Sequence, residues 1–324
     1  MRILITGGAG FIGSHMAEHH LNKGHTVHVI DDLSTGTQQN IDLFKKNPNY
    51  HFTAGNILTF SELTELVCWA DRIYHLAAYV GVLRVIHDSE NLLAINIAGT
   101  ERVLRAAKLS KRNPRIMLAS SSEVYGDGHA KPLSEKSNLI IGEGRKSCSA
   151  YVVSKISLEY FGLSYYEHYE MAVTPVRIFN TIGPRQLSQY GMVVPRFIKN
   201  AIQNDPISVY GTGEQTRSFC DVRDTVAILD CLAENPKAHG EIVNVGQEQE
   251  VSINHLAKEI KRIAKSASPI QHVSYDDAYG EGFEDFMFRC PDVTKLMQLT
   301  NNYKYQWNLQ KSLTDLIAKT RNKT

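Results

Sequence analysis

The stretch "RILITGGAGFIGSH" constrains this chain more than any other part of its sequence. A short apolar run ends in threonine and glycine, and a helix-like segment, "SHMAEHHLNKG", follows and closes at Gly24. Gly7, Gly10 and Gly13 sit in the connection as a TGxxGxxG pattern. Glycines at that spacing permit a tight turn, close backbone approach to a pyrophosphate and close helix–strand packing. The exposed N–H groups of the helix start then meet the phosphates. A second apolar run, "HTVHVID", ends at Asp31. A carboxylate there accepts from ribose hydroxyls and repels a 2′-phosphate, and no arginine follows in "DDLSTG". The pattern therefore predicts an NAD site rather than an NADP site.

The rest of the chain fits that beginning. "DRIYHLAA", "PRIMLASSS" and "AVTPVRIFN" read as further buried strands. "NLLAINIAGTERVLRAAKL" and "AYVVSKISLEYFGLSYYEHY" read as the helices between them. This alternation predicts an α/β fold, a Rossmann-type doubly wound parallel sheet, over residues 1–180. Beyond Asn180 the sequence turns to loops and short strands rich in Gly, Pro and Asn. Residues 181–324 are expected to form a smaller α/β substrate-binding lobe, with segments near 219–247 free to return to the first domain.

Composition excludes several classes. The 324 residues carry a net charge of +1, which offers no nucleic-acid surface. No apolar run reaches the ~20 residues of a membrane span, and the N-terminus lacks the apolar core of a signal peptide. Five scattered cysteines without a CxxC pair suggest reduced thiols and a cytoplasmic location, not a disulfide framework or zinc site. His15 and His19 stand four apart on the first helix with no third ligand nearby, so no metal is expected.

"YVVSK" places Tyr151 and Lys155 on one helix face. Tyrosine, with a pKa of about 10, is no base near neutrality. Lowering it by ~3 units takes roughly 4 kcal/mol of phenolate stabilisation. A lysine ammonium and a positive nicotinamide ring are candidates to supply it. Tyr151 would then take a hydroxyl proton while hydride leaves the same carbon.

At this point the chain resembles the extended short-chain dehydrogenase/reductase family, the NAD-dependent epimerases and dehydratases of nucleotide sugars. The resemblance rests on "TGGAGFIGSH", "HLAA", "SSSEVYG", "YVVSK", "RIFNTIGPR", "VYGTGEQTRSF", "VNVG" and "FEDFMFRCPD" and runs over nearly the whole chain. It implies a catalytic set of Ser121, Tyr151 and Lys155. It implies cofactor contacts from Gly7, Gly10, Phe11, Ile12, Gly13, Asp31, Asp32, Asn56, Ile57, Leu76, Ala77, Ala78 and Lys155. Asn56 stands where the family usually has an acid. Ser122, Asn180, Arg185, Arg217 and Arg289 are the implied substrate contacts, and a UDP-sugar is the implied substrate. A homodimer through helices near 91–109 and 151–169 is implied as well.

Oxidation at C4 of a sugar leads to three outcomes. A C5 carboxylate becomes part of a β-keto acid and leaves as CO2; otherwise the ketone turns over and is epimerised, or a C6 group leaves. The family's dehydratases carry an Asp-Glu pair where this chain has Ser122-Glu123. Decarboxylases resemble it in Glu123 and in an arginine like Arg289. Glu123 and Arg289 therefore join the catalytic candidates, although Arg289 pairing only with Glu284, Asp285 or Asp292 is the structural alternative. UDP-glucuronate decarboxylation ranks first, 4-epimerisation second and 4,6-dehydration third. An NAD-binding sensor or scaffold is the non-enzymatic alternative.

Overall fold

The protein is described here by a computed structural model covering residues 1–80, 88–126, 131–142, 147–188, 192–279 and 286–322. The first half lays down β1 (Arg2–Thr6), α1 (Phe11–Asn22), β2 (Thr26–Asp31), α2 (Gln38–Asp42), β3 (Tyr50–Ala54), α3 (Leu63–Trp69) and β4 (Arg72–His75). Then come α4 (Ser89–Leu93), a π-helical turn at Ala94–Ala98, α5 (Gly99–Lys108), β5 (Arg115–Ser121), α6 (Ser147–Tyr169) and β6 (Val173–Ile178). The second half contains β7 (Thr181–Ile182), α7 (Val193–Gln203), β8 (Ile207–Tyr210), β9 (Thr216–Ser218), β10 (Cys220–Asp221), α8 (Val222–Glu234) and β11 (Val243–Val245). It continues through β12 (Glu250–Ser252), α9 (Ile253–Ala264), β13 (Ile270–Val273), α10 (Tyr275–Tyr279), α11 (Thr294–Leu299) and α12 (Leu309–Arg321).

Seven strands form one parallel sheet in the order β11-β6-β5-β4-β1-β2-β3. Side chains alternate along each strand, so β1 feeds both faces. Ile3 and Ile5 pack with Met16 and Leu21 of α1 and Ile228, Leu229 and Leu232 of α8. Leu4 packs on the other face with Leu63, Val67, Leu104 and Leu158. Burial on both faces is why these strands read as continuous apolar runs rather than alternating ones.

The chain leaves the sheet after β6 and comes back. α8 shares the core of α1, and β11 pairs with β6 through Val243↔Val176 and Val245↔Ile178. A separate core, including Phe197, Ile207, Leu256, Ile260 and Leu313, holds the second lobe together. The helix expected near 91–109 is not continuous, because the π turn divides it into α4 and α5.

Candidate active site

The glycine loop follows from backbone sterics. Gly7 has φ +73°, and a Cβ there would stand 2.7 Å from Ala77 N. A Cβ on Gly13 would collide with the Gly7 carbonyl. The loop thus packs directly on Leu76–Ala77, where Leu76 N donates to Thr6 O and Ala77 N donates to Thr6 Oγ1. No side chain caps the start of α1, which begins at Phe11 and Ile12. Its first N–H groups therefore need an outside acceptor. Together these features make a cradle that fits a pyrophosphate.

Asp31 closes one end of the cradle. Its Oδ2 accepts from Ala9 N at 2.9 Å and its Oδ1 from Leu33 N at 2.8 Å. Each oxygen retains a second acceptor site for a ribose hydroxyl. Burial pushes the Asp31 pKa up, and the two N–H donors oppose that. Asp32 accepts from Asn56 Nδ2 at 2.8 Å, so the family's missing acid is met by an amide bonded to a neighbouring carboxylate. Ile57 is buried and packs against Gly99 at the start of α5. Ala78 is half-buried just past β4.

The chemical end lies where β5 stops. Ser121 caps the short 3-10 turn Ser122–Tyr125 by accepting from Glu123 N, and it lies within hydrogen-bonding reach of the Tyr151 phenol. Ser122 is buried. Burial pushes the Tyr151 pKa above its ordinary value; Ser121 and Arg289 work against that shift and Glu123 adds to it. Lys155 stands one turn further along the same helix and is buried. Its Nζ donates to Ala119 O at 2.8 Å and lies 5.7 Å from the Tyr151 ring centre. Among the described residues, the charges of Glu123 and Arg289 bear on the phenol.

Glu123 and Arg289 are brought together, with Oε1 and Nη1 2.5 Å apart. Arg289 is 2% exposed, yet Nη1 and Nη2 have no hydrogen-bond partner among the described residues. The Glu123 carboxylate thus neutralises one side of the guanidinium, while Nη2 stays buried without an acceptor among the described residues. Glu284 and Asp285 lie outside the described residues. Asp292 instead accepts from Thr294 N. Arg289 is carried by a strap fixed on two sides. Thr216 N donates to Met287 O, and Leu133 N donates to Cys290 O.

The substrate candidates divide. Asn180 has a buried Nδ2 without a hydrogen-bond partner among the described residues. Arg217 donates to Thr216 O and Phe286 O, which ties it to the same strap. Arg185 is taken up by α1 instead. Its guanidinium pairs with Glu18 and donates to His15 Nδ1 at 2.5 Å, while His15 Nε2 donates to Pro184 O. The expected phosphate role of Arg185 is therefore not supported by its position. His19 bonds Asp230 at 2.9 Å, so the two helix histidines serve separate contacts.

Sequence reasoning missed a supporting chain. Thr6 Oγ1 bonds His75 Nδ1, His75 Nε2 bonds Thr100 Oγ1, and Thr100 donates to the carbonyl of Asn96 in the π turn. Asn96 then accepts from Tyr79 N and donates to Ser154 Oγ, whose hydroxyl donates to Tyr151 O. "HLAA" was a visible signal for His75, but nothing in the sequence marks the π turn.

A model of the NAD dependent epimerase/dehydratase family matches residues 3–246. The chain belongs to this family. This epimerase/dehydratase-family member is 40% identical over 299 residues to a UDP-N-acetyl-alpha-D-glucosaminuronate decarboxylase of Bacillus cytotoxicus, covering 92% of this chain and 91% of the relative. It is 35% identical to UDP-glucuronic acid decarboxylase 1 of Xenopus tropicalis, covering 91% of this chain but 66% of that protein. A solved UDP-glucuronic acid 4-epimerase from Bacillus cereus, in complex with UDP-glucuronic acid and NAD, superposes with TM-score 0.87 at 28% identity, covering 99% of this chain and all of the other.

Proposed function

We propose that this family member is an NAD-dependent decarboxylase of a UDP-linked uronic acid, acting through a 4-keto sugar. The observation that carries the reading is Arg289, a buried guanidinium with unsatisfied donors beside Glu123 and within the field of Tyr151. Arg matches a carboxylate with two parallel N–H bonds, and a buried fork without such bonds is costly. A uronate carboxylate supplies the missing acceptors.

NAD held in the glycine cradle beside Asp31 would supply a hydride acceptor for C4 and a hydride donor for the closing reduction. Tyr151 takes the C4 hydroxyl proton, and Ser121 hydrogen-bonds the oxygen as it becomes a ketone. Arg289 holds the C5 carboxylate. The C5–carboxylate bond breaks, CO2 leaves and its electron pair enters the enolate. A proton from solvent adds to C5 in place of the departed CO2, and Tyr151 gives its proton back to the C4 oxygen. Asn180 and Arg217 are the proposed contacts for the UDP diphosphate.

Both UDP-glucuronate and its 2-acetamido counterpart belong in the test, because the 40% identical relative is named for the latter. Purified protein with NAD should release CO2 and form a UDP-pentose from at least one of them. Mass spectrometry showing a product of unchanged mass would replace this reading with 4-epimerisation, the activity named for the Bacillus cereus neighbour.

A homodimer is proposed through the helices near 91–109 and 151–169, where Leu109, Tyr160, Tyr166 and Tyr169 are exposed. No described helix is long and apolar enough to cross a membrane. Among the described residues, Cys68, Cys220, Cys231 and Cys290 are free, which fits the proposed cytoplasmic location.

A further inference from the structure

One turn after Lys155 on α6 stands a glutamate that the steps above do not use. Glu159 is 2% exposed. Its Oε1 accepts from Ser120 Oγ at 2.5 Å and from Arg177 Nε at 2.9 Å, and its Oε2 accepts from Arg177 Nη2 at 2.8 Å. A buried ion pair alone says little about stability. What distinguishes this one is where it grips. Ser120 lies between Ala119, whose carbonyl anchors Lys155 Nζ, and Ser121. Tyr151, Lys155 and Glu159 recur every four residues, which puts them on one face of α6.

Among the described residues, the charged and titratable groups facing Lys155 are few. On its own helix they are Tyr151 and Glu159. From β4 comes His75, buried and neutral, with its pKa pulled down to about 3 by burial and then by Lys155. β5 offers the Ala119 carbonyl. Arg177, on β6, is engaged by Glu159.

We propose that Glu159 is a positioning residue for the reaction: it holds the Ser120–Ser121 strand end against α6 and supplies the negative charge that keeps the buried Lys155 ammonium protonated. The proposal rests on Lys155 belonging to the catalytic set. Burial lowers the Lys155 pKa to about 8, and the Glu159 charge acts in the opposite direction. Ser120 and Arg177 hold the carboxylate where it does so.

The test reads Lys155 directly. In full-length protein with 13C-labelled lysine side chains, the Lys155 resonance is assigned by its loss in Lys155→Met and followed against pH. Glu159→Gln should lower the midpoint by about one pH unit, a tenfold change in the protonation equilibrium. The alkaline limb of kcat should move with it, whereas Glu159→Asp, which keeps the charge, should stay near the parent midpoint. Because Glu159→Gln leaves the Arg177 cation without its anion, which lowers the midpoint further, the double variant Glu159→Gln/Arg177→Met removes both charges and should show a lowering in the same direction but smaller. An unchanged midpoint in either folded variant overturns the proposal. Failure of both to fold, with Glu159→Asp folding normally, assigns Glu159 to the fold alone and overturns it too. The midpoint is measured without sugar, so a parent protein that turns over no UDP-uronate overturns the decarboxylase reading and leaves this result standing.

Discussion

Glu123 Oε1 and Arg289 Nη1 lie 2.5 Å apart, joining the end of β5 to the strap that follows residue 285. The glutamate is 42% exposed on its side chain and the arginine is buried. A substrate carboxylate therefore competes with a half-exposed carboxylate for a buried cation. Arg289→Gln should weaken binding of UDP-glucuronate by tenfold or more, about 1.4 kcal/mol or greater. Binding of UDP-glucose, which lacks the carboxylate, should change little. Calorimetric titration of both ligands checks this, and equal losses for the two would remove Arg289 from carboxylate recognition.

Tyr151→Phe removes one oxygen from a site that otherwise keeps its shape. The loss of proton transfer should lower kcat by about 10²–10⁴-fold. Circular dichroism and the thermal midpoint should match the parent. Turnover unaffected by the change would assign the proton transfer to another group.

Gly7→Ala should be severe although alanine adds one methyl. The position has φ +73°, and the new Cβ would sit 2.7 Å from Ala77 N. The left-handed backbone alone costs about 1–2 kcal/mol in an L-residue. A lower melting temperature and loss of NADH fluorescence on binding are the expected readouts. A Gly24→Ala control, also at positive φ but with open space around it, should lose stability without losing cofactor.

Acid should destabilise the fold through buried histidines. Burial lowers the pKa of His15, His20 and His75 to about 3, against about 6.5 in the unfolded chain. Between those values the unfolded chain binds more protons. Stability is therefore fully present above pH 6.5 and is lost as pH falls toward 3. His75→Gln should reduce the slope by up to about 1 kcal/mol per pH unit in that window. Urea midpoints at pH 7, 6 and 5 measure it, and an unaltered slope would place the acid sensitivity elsewhere.

Tyr160 is 68% exposed on α6. Tyr160→Lys should shift the protein from dimer to monomer in sedimentation velocity while the monomer stays folded. A parent protein already monomeric at micromolar concentration would dismiss the proposed interface.

The glycine cradle and the tyrosine–lysine pair were legible because their constraints are local: a turn that excludes Cβ, and a four-residue helical spacing. The ends of β1, β2 and β5 were legible for the same reason, as apolar runs meeting polar residues. Arg185 was not, since the text around it says nothing of Glu18 and His15, which come from a distant helix. The return of β11 to β6 falls within the 219–247 range expected from the sequence, but the pairing itself is tertiary and involves a strand of three residues. The π turn holding Asn96 is likewise settled by contacts from β4 and α6, not by its own sequence.

Asn244 of β11 accepts from Tyr125 OH and donates to the carbonyls of Leu133 and Asp292. This has a consequence for the order in which the molecule is made. A chain growing from its N-terminus completes the cofactor cradle early, but the seat of the strap is not synthesised until residues 243–245, and Arg289 follows later still. Domains tend to fold as their segments emerge, and parallel sheets close slowly. A nascent chain halted before β11 is thus expected to carry a nucleotide fold with Tyr151 in place and no arginine to receive an acid.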